Sequence, residues 1–323
     1  MTIDTLFELN NFSYSVLILV VVVILKAFVT RLVSHEPLRF FHFYCRQLSN
    51  KVNKPENSQQ QKKIAGLIAI LVTLLPLTII LWLFEDFVAV TELWHALLLY
   101  LALGSFGLKS VTKQIAQDLV ANQSYQAKQV LSPLTLRDTD KLSPIGISKA
   151  AIEVQLLKTL QQGYVVACLY LLFGPLTALC YRLLLEMHYC WNVKLAKYEA
   201  FGGAAKALVE IIQWLPVRLF SLLLLMLSLG KNFLLFWRLS KPYFFQLNNN
   251  FALQLFALVL EIKLGGVAMY NQHKLRRISF NDLAKQPQVT DIIHANKEIK
   301  LVIYLSFIML ISLAIISGVV RPT

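Results

Sequence analysis

Leu301 to Val320 is a run of twenty residues without a charged side chain, and no other feature limits the fold as severely. A helix of about 20 apolar residues crosses the roughly 30 Å hydrocarbon layer of a bilayer. Inside that layer the backbone must satisfy its own hydrogen bonds, which leaves helices or a closed barrel. Similar runs occupy Val16–Val33, Ile64–Phe84 and Leu93–Leu108, the second and third separated by the acidic pair Glu85-Asp86. The expectation is an all-α, polytopic membrane bundle. Lys26, near one end of the first run, is expected to reach toward the headgroups.

The composition fits this reading. Apolar residues make up 57% of the 323 and charged residues 15%, with mean hydropathy +0.59. These values exclude an ordinary soluble globule, a disordered chain and a disulfide scaffold. A net charge of +13 would suggest nucleic acid in a soluble protein, but here it reads as the basic bias that fixes topology. Nucleic acid is not expected as a partner; the bilayer is. The four cysteines (Cys45, Cys168, Cys180, Cys190) lack metal-ligand spacing and read as free thiols. The six histidines (His35, His42, His95, His188, His273, His294) are scattered and read as poor candidates for ligands or bases.

Orientation follows from the basic residues. The loop 34–63 carries Arg39, Arg46, Lys51, Lys54, Lys62 and Lys63 against Glu36 and Glu56, which places it in the cytoplasm and the N-terminus outside. Asp4 and Glu8 stand where a signal peptide would be basic, so the first helix is expected to remain as an anchor. The region from Lys109 to Gly163 is also basic. Ile147, Ala151, Val154 and Leu157 recur in it at helical spacing, predicting amphipathic helices on the cytoplasmic face. Residues 57–63 read as a flexible polar linker. A further span is expected at Leu219–Trp237. Tyr164–Leu185 is interrupted by Gly174-Pro175, and Phe251–Tyr270 contains Glu261 and Lys263, which are costly in lipid. If every apolar run crossed once, the basic stretch 274–300 would lie outside, so one of these two segments must fail to cross. The chain thus divides into N-terminal helices (1–108), a central region (109–300) and a C-terminal helix (301–323).

The sequence lacks a phosphate-binding P-loop, a dinucleotide glycine motif, a nucleophile elbow and a zinc-protease motif. A transporter would need ionisable residues within several helices, and the first three apolar runs and the last offer almost none. One polar stretch stands out. Arg137, Asp138 and Thr139 are adjacent, with Glu153 fourteen residues beyond Thr139. Arg137 can bind phosphate or carboxylate bidentately, and Asp138 and Glu153 could hold magnesium. The alternative is a helix cap at Asp138 or Thr139 with Arg137 in a surface ion pair.

The block from Ala127 through Ser132, Arg137-Asp138-Thr139 and Leu142 resembles the motif of the CobD/CbiB cobalamin-biosynthesis membrane proteins. Lys109-Ser110, Ala151-Ile152-Glu153, Tyr198 with Phe201-Gly202, Trp214 with Pro216 and Arg218-Leu219, Asn248, and Leu264-Gly265-Gly266 with Tyr270 follow in the family's order. The resemblance covers about Leu108 to Tyr270. It implies a bacterial inner-membrane protein performing ATP-dependent amide ligation of an aminopropanol, or its phosphate, to the corrinoid cobyric acid. On that reading Arg137, Asp138 and Glu153 would be catalytic. Lys109, Ser110, Thr139, Tyr198, Arg218 and Asn248 would bind substrate. Asp138, Glu153 and Glu210 would hold magnesium beside ATP. Implied partners are the corrinoid or other enzymes of corrinoid synthesis.

The sequence departs from the family where acidic and amide residues are expected. Leu156-Leu157-Lys158, Leu185-Glu186-Met187-His188 and the stretch around Val209-Glu210 replace them, and the early His-Pro is interrupted as His35-Glu36-Pro37. A carboxylate replaced by Leu or Val loses its charge function, so weak or absent independent ligation is expected. A non-catalytic signalling modulator of the AmpE type is the alternative.

Overall fold

The computed structural model describes residues 11–32, 38–104, 108–227, 233–245 and 248–319. Asp4, Glu8 and the His35–Pro37 motif lie outside them. The bundle is almost wholly helical. Among the described residues, five helices are long and apolar enough to cross a membrane, by length and composition: Phe12–Thr30, Gln59–Glu85, Pro144–Phe173, Gly203–Met226 and Val289–Ser317. Their outward faces carry Ile24, Phe28, Ile68, Val72, Ile80, Ile308 and Ile315, all exposed, as lipid-facing positions require. The chain is a multi-pass membrane protein.

Helix α1 (Asn11–Leu32) leads to α2 (Arg39–Val52), an amphipathic helix that exposes Phe40 and Phe43 and buries Cys45 and Ser49. Helix α3 (Gln59–Glu85) starts inside the stretch read as a linker. The Ser58 side chain accepts the Gln61 amide and the Gln61 side chain accepts the Ser58 amide, a reciprocal cap that makes this polar segment a helix start. Helix α4 (Thr91–Ala102) stops six residues before the expected Leu108. At that end Lys26 is buried and donates to the Tyr100 and Leu103 carbonyls, which helix termination leaves open. It therefore caps α4 and does not reach toward headgroups. Helices α5 (Leu108–Val120) and α6 (Ser124–Leu131) follow.

Helix α7 (Pro144–Thr159) is capped by Ser143, which accepts the Gly146 amide at 3.2 Å; neither Asp138 nor Thr139 serves as the cap. A π-helical turn, Leu160–Tyr164, leads into α8 (Val165–Phe173). Gly174 then reverses the chain at φ +87° into α9 (Pro175–Cys190), which packs against α8. Tyr164–Leu185 is therefore a helical hairpin and not one crossing. Its tip lies at the far end of the bundle, where the Tyr170 hydroxyl meets Ser15 in the second turn of α1.

Helix α10 (Gly203–Met226) runs back toward the far end, so the span expected at Leu219–Trp237 lies earlier in the chain. Helices α11 (Phe233–Ser240) and α12 (Asn248–Val259) pack against it as a broken return. The expected segment Phe251–Tyr270 ends its helix at Val259. Glu261 and Lys263 fall beyond it, in a turn where Lys263 pairs with Asp282 at 2.8 Å. The hairpin and the broken return resolve the parity conflict, because together they bring 274–300 back to the end that holds the other basic loops. Helix α13 (Val289–Val319) closes the bundle, its end held to α1 by the Ser13 hydroxyl donating to Ala314 at 2.8 Å.

Two small antiparallel ladders sit at the polar end. Strand β1 (Leu264–Gly265) pairs with β4 (Ser279–Phe280), and β2 (Ala268–Tyr270) pairs with β3 (His273–Leu275). The helical pattern gave no sign of them.

Candidate functional site

Three sequence blocks, far apart in the chain, meet at the polar end. Glu153, on the third turn of α7, is 1% exposed. The Arg137 guanidinium ion-pairs with its Oε2, Arg277 Nη1 reaches the same oxygen at 3.1 Å, and the Gly265 amide donates to Oε1 at 2.9 Å. A buried carboxylate is tolerable only when its charge and lone pairs are met this fully. Gly265 must be glycine: its φ is +71°, and an added Cβ would lie 2.2 Å from the Ile278 carbonyl oxygen. Arg277 also donates to the Gly266 carbonyl at 3.2 Å.

Asp138 has a different task. Its amide donates to the Met269 carbonyl at 3.0 Å, and its two carboxylate oxygens accept the Asn271 and Gln272 amides at 3.1 and 2.7 Å. Asn271 and Gln272 form the two-residue turn between β2 and β3, both at positive φ (44° and 65°). Such a turn fits the twist of a hairpin but is costly for non-glycine residues. Asp138 offsets that cost by holding the turn.

The turn presents Tyr270. Its phenol hydrogen-bonds Arg137, and Lys194 Nζ lies 5.4 Å from its ring centre. Lys194 is exposed as a residue, while its ammonium end rests against protein. That loss of solvent, followed by the charges of Arg277 and Arg137, lowers the Lys194 pKa. Burial pushes the Tyr270 phenol up, but Lys194, Arg137 and Arg277 outweigh it and the phenol lies below its usual value. Arg137 loses solvent as well, yet Glu153 and Tyr270 hold its guanidinium more firmly charged. Cationic charge at this cluster exceeds what Glu153 neutralises. The arrangement suits an oxyanion, either phosphate or carboxylate.

The other sequence-derived residues lie elsewhere. Lys109 and Ser110 are exposed on the first turn of α5. Thr139 is buried, and its carbonyl accepts the Leu142 amide in a turn. Tyr198 is a packing residue whose hydroxyl meets Ser49 Oγ at 3.3 Å. Arg218 and Asn248 do meet each other, in a separate cage. There Arg218 donates to the Phe244 carbonyl and lies 4.7 Å from the Trp214 ring centre, while Asn248 donates to the Glu210 carbonyl.

Magnesium finds no set of carboxylates here. Asp138 is committed to the turn, Glu153 to two arginines, and Glu210 stands on α10 at 4.0 Å from Lys206. Among the described residues no group of three His, Cys, Asp or Glu side chains is placed to hold a metal. Arg277 and Lys194 escaped the sequence reading because Arg277 sits in a basic run that serves topology and Lys194 in an unremarkable loop.

The family described as CobD/Cbib protein matches residues 19–299. The cobalamin biosynthesis protein CobD of Stutzerimonas stutzeri is 28% identical over 206 residues, covering 64% of this chain and 68% of that protein. The CobD of Chromobacterium violaceum is 27% identical over 209 residues, covering 65% and 67%. The CobD of Leptospira interrogans (serovar copenhageni) is 28% identical over 231 residues, covering 68% and 71%. No solved structure matches.

Proposed function

The chain belongs to the CobD/CbiB family, and we propose from this premise that it acts in cobalamin biosynthesis, at the joining of an aminopropanol phosphate to a corrinoid carboxylate. The observation that carries the reading is the convergence of the Arg137, Glu153 and Gly265 blocks into one cationic cluster with Arg277, Lys194 and Tyr270. In this reading Lys194, Arg277 and Arg137 hold the oxyanion of the donor or of ATP. Tyr270 orients it and offers a phenol able to accept or release a proton. Glu153 and Asp138 act as positioning residues, since their oxygens are already bonded within the protein. ATP would supply the activation of the carboxylate. The residues do not fit a protein-held magnesium ion, so no catalytic role is assigned to one. The cytoplasmic side of a bacterial inner membrane, with the N-terminus outside, is the placement that the basic loops favour.

The test is a ligation assay on detergent-purified protein with ATP, magnesium, cobyric acid and aminopropanol phosphate. Weak amide product above a no-protein control, reduced at least tenfold in Tyr270→Phe, is the expected result, in keeping with the lost acidic positions. One observation favours a second reading: both motif carboxylates are consumed by internal bonds. A non-catalytic, AmpE-like role would give no product while binding of the phosphate donor persists.

A further inference from the structure

Away from the oxyanion cluster, α2 and the last turns of α9 enclose a second set of reactive groups. His42 Nδ1 lies 2.8 Å from Cys190 Sγ, and His42 Nε2 lies 2.5 Å from Glu186 Oε2. Arg182 Nη2 holds the other oxygen of Glu186 at 2.6 Å. The thiol of Cys45, fully buried, hydrogen-bonds the Cys190 sulfur, and the Trp191 indole donates to the Cys45 carbonyl at 3.0 Å. Cys190 and His42 are each partly exposed.

We propose that Cys190 and Cys45 form an oxidation-sensitive thiol pair, in which Cys190 reacts with a hydroperoxide and Cys45 resolves it to a disulfide joining α2 to α9. A thiolate needs a neighbouring cation and a hydrogen-bond donor, and a sensor thiol needs a resolving partner beside it. His42 supplies the cation, Glu186 orients its ring, and Cys45 is both donor and partner. The electrostatics agree. The hydrogen bond from Cys45, with His42 after it, lowers the Cys190 thiol, and the bonds to Cys190 and Glu186 raise His42 to about 10.

The chemistry balances. The Cys190 thiolate attacks one oxygen of hydrogen peroxide and the O–O bond breaks. The departing hydroxide takes the His42 proton and leaves as water, so sulfur has lost two electrons to the peroxide. Cys45 then passes its proton to His42, and its sulfur attacks the sulfenic sulfur of Cys190. The S–O bond breaks, and the second hydroxide leaves as water with that proton. The net change is two thiols plus one peroxide to one disulfide plus two waters. The bond would pin α2 to the chain four residues before Lys194, coupling redox state to the oxyanion cluster. Cys168 and Cys180 have other partners: Cys180 meets Thr78 Oγ1 at 3.0 Å, and Cys168 hydrogen-bonds Tyr164.

The test treats detergent-purified full-length protein with hydrogen peroxide and maps thiols by non-reducing peptide mass spectrometry. A Cys45–Cys190 linked peptide is expected, with Cys190 lost at least tenfold faster than Cys180 in the same molecule. Cys45→Ser should leave a Cys190 sulfenic acid that dimedone traps, and His42→Gln should slow Cys190 loss at least tenfold. Equal rates at Cys190 and Cys180, or no linked peptide in the parent protein, would overturn the proposal. So would the absence of a dimedone adduct in Cys45→Ser. The comparison of two cysteines within one molecule holds even if a variant folds poorly.

Discussion

Glu153 is a buried charge met by three partners, Arg137, Arg277 and the Gly265 amide. Removing one member of a buried ion pair costs about 3–5 kcal/mol, as the remaining charge is left without its counterpart. Glu153→Gln keeps the shape and deletes the charge facing Arg137 and Arg277. It should lower stability by about that amount, read as a reduced denaturation midpoint of the protein in detergent; an unchanged midpoint would contradict the ion-pair reading. Arg137 was legible as an anion binder, but its partner Glu153 was read beside it as a metal ligand. Sequence spacing does not reveal that two motif residues satisfy one another. Asp138 misled for the same reason, since a carboxylate that accepts two turn amides and one that binds magnesium look alike as letters.

At the scale of elements, the runs Val16–Val33, Ile64–Phe84 and Leu301–Val320 fall in long apolar helices, whereas those at Leu93–Leu108, Tyr164–Leu185, Leu219–Trp237 and Phe251–Tyr270 stop early, reverse, shift or break. The open carbonyls at the end of helix α4 are met by Lys26, a contact between residues more than seventy positions apart that no local pattern announces. Lys26→Met keeps the apolar stem and removes the donor. Each buried carbonyl left unmet costs about 1–3 kcal/mol, so this variant should denature at a lower temperature than the parent; an equal midpoint would show that the cap is not needed. The reversal at Gly174 was visible as a Gly-Pro pair, and its φ of +87° explains why glycine stands there. The π-turn Leu160–Tyr164 and the four short strands left no signature, because segments this short depend on their tertiary neighbours. Gln161 in that turn is met by Tyr189 at 2.7 Å and by Asn249 at 3.0 Å, so its environment, and not its helical period, sets the backbone there.

For the whole molecule, the basic segments share one end of the bundle. Asn53 donates to the Lys197 carbonyl at 2.9 Å, Lys194 covers Tyr270, and Glu153 accepts from Gly265. This chain of contacts ties the 34–63 loop, the 190–203 turn, α7 and the strands together. Single cysteines introduced as Asn57→Cys and Gln123→Cys, in a background lacking the native thiols, should therefore be labelled from the same face of sealed membrane vesicles. Labelling from opposite faces would end the topology. The family and the membrane class were readable from motif order and hydropathy. The site's cations were only partly readable, since two of the three come from segments whose charge looked topological or incidental.

The central claim is that this polar end holds an oxyanion-binding cluster built by Arg137, Arg277, Lys194 and Tyr270 around Glu153. It is tested most directly by the affinity of detergent-purified protein for aminopropanol phosphate and for unphosphorylated aminopropanol, measured side by side. The account predicts that the phosphorylated compound binds at least tenfold more tightly, a margin of about 1.4 kcal/mol. It also predicts that Lys194→Ala abolishes that margin without lowering the denaturation midpoint. Equal affinity for the two compounds, or a preference that survives in Lys194→Ala, would contradict it.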